Sequence, residues 1–118
     1  MGVAYHGNFL AFFEVARVEA MRRIGRQYAE AVRRGVHIVV VEAQVRYRQS
    51  AVFDDVLLIS ARACDIRGAR FAFGYDARRE SDDALIATGR TEHACVDAAT
   101  MRPVRIPDWL VTDLRLLA

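Results

Sequence analysis

Val41-Glu42-Ala43-Gln44-Val45-Arg46-Tyr47-Arg48 alternates apolar and polar residues one for one. Successive side chains of a strand point to opposite faces, so this period predicts a half-buried β-strand with Val41, Ala43, Val45 and Tyr47 inward. The period of two begins at Val36, and Ile38 to Val41 is a compact apolar stretch. That stretch is strand-sized.

Upstream the spacing is helical. Phe9, Phe13, Ala16, Ala20 and Ile24 recur at intervals of four, three, four and four, which places them on one helix face. Glu14, Arg17, Arg22 and Arg23 fall off that stripe. Asn8 suits the N-cap and Gly25 the position after the last turn. A shorter helix is expected over residues 26–34, ended in the same way by Gly35. With nothing before it in the 118 residues, the long helix is expected to start almost bare.

Downstream, Phe53-Asp54-Asp55 breaks the first strand, and a second is predicted over residues 56–65. Arg67-Gly68 makes its turn, and Phe71, Phe73 and Tyr75 share one face of a third. Glu80-Ser81-Asp82-Asp83 is a polar turn. A fourth strand over residues 85–96 is long enough to bend at Gly89, and a terminal helix opens at Pro107 or Asp108 and runs to Leu117. Short connections favour antiparallel neighbours. An apolar helix stripe and an apolar sheet face must cover each other, which predicts one α+β domain over residues 1–118 with a helix wrapped in a curved antiparallel sheet.

Composition narrows the function. A hydrophobic fraction of 53% and a charged fraction of 27% are those of a globular domain. No apolar run approaches the roughly 18–20 residues of a membrane helix, and Met1 to His6 carry no basic leader. A net charge of +2 argues against a general nucleic-acid binder. All 17 basic residues are Arg, the residue suited to bidentate phosphate contacts. Cys64 and Cys95 are expected as reduced thiols in the cytoplasm. His37 and His93 have no metal-ligand spacing around them, and Ser60 has no nucleophile elbow. Neither a metal nor a phosphate-binding glycine loop is expected.

Met1-Gly2-Val3-Ala4-Tyr5-His6-Gly7-Asn8-Phe9-Leu10, followed by Phe13-Glu14-Val15-Ala16-Arg17, resembles the signature of the 4-hydroxybenzoyl-CoA thioesterase family, and within it the Tol-Pal-associated branch. Val45-Arg46-Tyr47 with Phe53-Asp54-Asp55-Val56-Leu57, Arg67-Gly68 with Phe71, Thr91-Glu92-His93 with Val96-Asp97, and Arg102-Pro103 with Ile106-Pro107 agree in order and spacing. The resemblance covers nearly the whole chain. It implies a hotdog fold, with a long central helix in a curved antiparallel sheet, and an acyl-CoA thioesterase working as a homodimer or homotetramer. It also implies a first strand ending in an Asp, the usual base or nucleophile, two positions before Met1. Strand and Asp both lie outside these 118 residues.

Hydrolysis of a thioester requires a polarised carbonyl and an activated water or a carboxylate nucleophile. By resemblance, the carbonyl oxygen sits at the start of the long helix, against the amides near His6 and Gly7, where unpaired N–H groups and the helix dipole favour it. Gly2 and Gly7 let the backbone pass close to the thioester, beside Val3. The His6 imidazole either bonds the carbonyl or water, or merely touches solvent. Tyr5 lines the acyl pocket or packs. Phe9, Phe12, Phe13 and Tyr75 are expected to supply the apolar pocket.

Glu14 is the one carboxylate of the motif, about 12 Å along the helix from His6. It contacts substrate, or pairs with Arg17. Arg67 and Arg70 hold the phosphates of coenzyme A, which is part of the substrate rather than a cofactor, or are simply solvated. The competing reading is a non-catalytic hotdog module that binds acyl-CoA or an acyl-carrier partner. A hotdog hydratase would need an Asp/His dyad that is not found here.

Overall fold

In the computed structural model, residues 8–23, 33–52 and 54–118 are described. Helix α1 (Asn8–Arg23) is followed by strands β1 (Val36–Tyr47), β2 (Leu57–Arg67), β3 (Arg70–Arg79) and β4 (Leu85–Asp97), then helix α2 (Asp108–Arg115). The expected helix over residues 26–34 and the stop at Gly25 lie largely outside the described residues. Gly35 does terminate a turn, with φ +80. Asn8 is the first residue of α1 rather than the residue before it.

The strands form one antiparallel sheet in the order β1-β4-β3-β2, the α+β architecture expected. Register sorts the side chains. Phe71 lies opposite His93, Phe73 opposite Thr91 and Tyr75 opposite Gly89, so these six share the face that α1 covers. Ala61 and Ala63 of β2 continue that face opposite Tyr75 and Phe73. Arg62, Asp76 and Arg90 point the other way, where Arg62 and Asp76 stand 3.8 Å apart and Arg90 bonds Asp65 at 2.6 Å. A charged outer face and an aromatic inner face follow from one alternation.

Helix α1 sits on the inner face through Phe9 and Phe13, both buried as predicted, while Ala16 and Ala20 are half-buried. Phe13 stacks on Tyr75 at 4.8 Å and 11°. The same ring occupies the space above Gly89, where a side-chain carbon would lie 2.5 Å from it. The predicted bend at Gly89 is therefore a close approach of helix to sheet. At the far end Leu110 and Leu114 of α2 are buried, and the Leu117 carbonyl accepts from the Ala63 N–H at 2.8 Å.

Two expectations need correction. Val41, Ala43 and Tyr47 are exposed alongside their polar neighbours, and of the predicted inward set only Val45 is half-buried. The reason is position: among the described residues β1 stands at the sheet edge, and its register slips between Val40 and Glu42. Arg17, expected off the buried stripe, has only 14% of its side chain exposed because it reaches under the helix to His93.

Candidate active site

Gly2, Val3, Tyr5, His6 and Gly7 lie outside the described residues; what is described is the helix that follows them. Phe9 meets Tyr47 edge to face at 5.7 Å, so α1 starts over the end of the sheet where Tyr47 faces Ala87.

The aromatic pocket expected from Phe9, Phe12, Phe13 and Tyr75 is closed. Phe9, Phe13 and Tyr75 are at most 2% exposed and pack on one another as core, so Phe13 is not on an open wall. Phe12 instead lines a cleft of about 460 Å³ with Val15, Ala16, Asp55, Leu57 and Ile59, between α1 and β2. Sequence reading saw Asp55 only as part of a turn. Its Oδ2 accepts from the Val52 N–H at 2.9 Å and from Arg79 Nε at 3.0 Å. The Val52 amide and the Arg79 guanidinium hold its carboxyl below the usual range.

Glu14 leaves 60% of its side chain exposed and stands 3.6 Å from Arg17, so the ion pair weighed for it is present. Behind that pair runs a polar chain that sequence reading missed. Arg17 Nη1 lies 3.1 Å from Nδ1 and 3.2 Å from Nε2 of His93, His93 Nε2 is 2.7 Å from Thr91 Oγ1, and Thr91 Oγ1 is 2.7 Å from Tyr75 Oη. His93 is fully buried, and burial first, then the Arg17 charge, pushes its pKa down to about 4. The imidazole is neutral. Burial raises the Tyr75 hydroxyl, which stays protonated. The alternation of Thr91 and His93 in β4 was the available signal, but their meeting with Arg17 is a tertiary event.

Arg67 and Arg70 are exposed on the β2–β3 hairpin. They flank a hollow of about 590 Å³ with an apolar floor that includes Val39, Ala94 and Val96. Arg70 pairs with Ala94 whereas Tyr47 pairs with Ala87. Seven residues of strand are roughly 23 Å. One chain therefore does not bring the arginines and the start of α1 together. Among the described residues no three His, Cys, Asp or Glu side chains converge to hold a metal, and no helix is long and apolar enough to cross a membrane.

Residues 1–114 match the sequence profile of the thioesterase-like superfamily. The chain belongs to that superfamily. It is similar to the acyl-CoA thioesterase YbgC of Haemophilus influenzae, 30% identical over 107 residues that span 90% of this chain and 77% of the relative. The fold is similar to that of the DHNA-CoA thioesterase of Staphylococcus aureus, with TM-score 0.84, 29% identity, and coverage of 98% of this chain and 80% of the other. A hypothetical protein from Thermus thermophilus is similar at TM-score 0.85 and 32% identity, covering 100% of this chain and 88% of that one. The hotdog architecture expected from the sequence is that of these neighbours.

Proposed function

We propose that the chain is an acyl-CoA thioesterase of the Tol-Pal-associated branch, hydrolysing a thioester to a free acid and coenzyme A. The observation that carries the reading is the superfamily match from residue 1 to residue 114. The motif over residues 1–17 supports the finer branch assignment.

In this reading the amides near His6 and Gly7, ahead of α1, polarise the thioester carbonyl. Water adds to the carbonyl carbon, the C–S bond breaks, and the thiolate leaves with a proton as coenzyme A. An oxyanion donor of this kind is typically worth about 3–4 kcal/mol of barrier. Within the 118 residues Glu14 and His6 are the candidates for the group that takes the proton from water. Gly2, Val3 and Tyr5 border the acyl group. Arg67 and Arg70 bind the phosphates of coenzyme A, a role supported by their exposure beside an apolar hollow.

The working form is a homodimer or homotetramer. Support comes from β1, which pairs only with β4 among the described residues and exposes Val40 and Val41. Such an edge invites a second copy. Free thiols at Cys64 and Cys95 support a cytoplasmic setting.

The test is thiol release from a panel of acyl-CoA thioesters by the purified chain, with coenzyme A binding measured alongside. Turnover that depends on Arg67 and Arg70 through KM supports the reading. Tight acyl-CoA binding without any release of thiol would overturn it in favour of the binding module.

A further inference from the structure

The cleft between α1 and β2 has apolar walls and a carboxylate. Phe12, Val15 and Ala16 line it from the helix, Leu57 and Ile59 from the strand, and Asp55 from the turn before that strand. Leu57 and Ile59 are half-buried on the face that α1 covers, while Leu58 between them is 54% exposed. At about 460 Å³ the cleft has the size of a small-molecule site. Such sites are mostly apolar, with a few polar groups held in fixed positions.

Asp55 is a group of that kind. The Val52 N–H donates to its Oδ2 at 2.9 Å, and Arg79 Nε donates to the same oxygen at 3.0 Å. Arg79 is itself fixed, since Nη1 donates to Asp82 and Nη2 to the Ser50 carbonyl. Among the described residues every hydrogen bond to the Asp55 carboxyl falls on Oδ2, and Oδ1 accepts none. The side chain is 14% exposed, so whatever fills the cleft decides what Oδ1 meets. Hydrocarbon would strip that oxygen of donors, which is costly. A hydroxyl would supply one, and a second carboxylate would be repelled.

We infer that the cleft holds the far end of the acyl group, and that Asp55 is a specificity-determining residue selecting acyl groups that end in a hydroxyl. The inference rests on the functional reading above and deepens it by naming the substrate class. Phe12 and Ala16 are four and eight residues past Asn8, about 6 and 12 Å along the helix. An acyl chain of medium length, with its thioester at the start of α1, reaches the cleft by running along the helix. A site that hydrogen-bonds a substrate hydroxyl rejects the analogue lacking it far more strongly than an apolar pocket rejects one methylene.

The test follows thiol release from acetyl-CoA, hexanoyl-CoA and the ω-hydroxy and ω-carboxy derivatives of hexanoyl-CoA. Wild type, Asp55→Asn and Ala16→Phe are compared. In wild type the ω-hydroxy thioester should exceed hexanoyl-CoA in kcat/KM by roughly 10- to 100-fold, the range of one charge-assisted hydrogen bond. The ω-carboxy thioester should be the poorest of the three. Asp55→Asn keeps an oxygen for Val52 and Arg79 and turns an amide N–H into the cleft. It should raise the ω-carboxy thioester relative to the ω-hydroxy one by roughly tenfold or more. Ala16→Phe fills the cleft from the helix side and should cost the hexanoyl thioesters roughly tenfold more than acetyl-CoA.

Equal kcat/KM for hexanoyl-CoA and its ω-hydroxy derivative in wild type overturns the inference. So does an unchanged order of the three in Asp55→Asn. Should Asp55→Asn fail to fold, Ala16→Phe decides. A loss no larger for hexanoyl-CoA than for acetyl-CoA means that polypeptide, from a second copy or a further strand beside β2, fills the cleft, and the inference falls. A wild type that releases no thiol from any thioester defeats the functional reading instead. Calorimetric binding of the hexanoyl and ω-hydroxyhexanoyl thioethers of coenzyme A then decides whether the cleft selects the hydroxyl.

Discussion

Strands β1 and β3 alternate almost equally well in sequence yet meet opposite fates. In β3 the residues Phe71, Phe73, Tyr75 and Ala77 are at most 2% exposed. In β1, Val40, Val41 and Tyr47 are 49%, 45% and 46% exposed. Alternation says which side chains share a face, but burial depends on what stands on either side of the strand. β3 has β4 and β2 beside it and α1 above it; among the described residues β1 has only β4 beside it. Period is a local property and coverage is not.

The largest expected effect lies in β3. Phe73→Ala should destabilise the chain by about 3–5 kcal/mol, and Val41→Ala in β1 by a small fraction of that. Urea unfolding of both variants checks the contrast. Equal losses would mean that β1 is covered in solution, which is itself the signature of a second copy on that edge.

Next comes pH, because the buried inner face carries the titrating group His93. His93 has a folded pKa of about 4, below its ordinary 6.5. The unfolded chain therefore takes up the proton first. Stability from this group is complete above pH 6.5, falls as pH drops toward 4, and is flat below that. The whole change is at most roughly 3 kcal/mol. Arg17 and the Tyr75 hydroxyl are the groups that face His93 through this network. His93→Gln should remove the slope between pH 6.5 and 4, leaving the acid loss from Asp55, Asp82 and Asp97, whose carboxyls lie low.

Gly89→Ala probes the closest approach of α1 to the sheet. Overpacking of this kind costs about 1–3 kcal/mol, since the Phe13 ring must leave its place above β4. A thermal melt suffices, and a recovery in the double variant Gly89→Ala, Phe13→Leu would locate the clash. The smallest effect belongs to the outer face. Removing Arg90, which bonds Asp65 across exposed surface, should change stability by less than about 1 kcal/mol. A larger loss there would mean that the outer face, too, is covered by another chain.

Much of the fold could be read from periods and punctuation. The stripe of Phe9 and Phe13, the aromatic run of β3, Gly35 and Gly68 at positive φ, and the opening of α2 at Asp108 all stand where local spacing put them. The thioesterase-like superfamily, too, was legible, because the residues that carry the resemblance are contiguous over 1–17. The site was legible only in part. Glu14 and Arg17 are three residues apart on one helix, and so their pairing was open to sequence reading.

Arg17 and His93 are 76 residues apart, and nothing local connects them. Nor does composition tell that Phe13 fills the core instead of lining a pocket, or that Arg67 and Arg70 lie a sheet's length from the start of α1. Sequence by itself determined which residues share a face and where each element begins, because those depend on backbone geometry repeated every two or 3.6 residues. The tertiary structure alone decided which faces are covered, which buried polar groups find one another, and which wall stays open. Those outcomes depend on the order β1-β4-β3-β2 and on the space that Gly89 leaves for one phenyl ring.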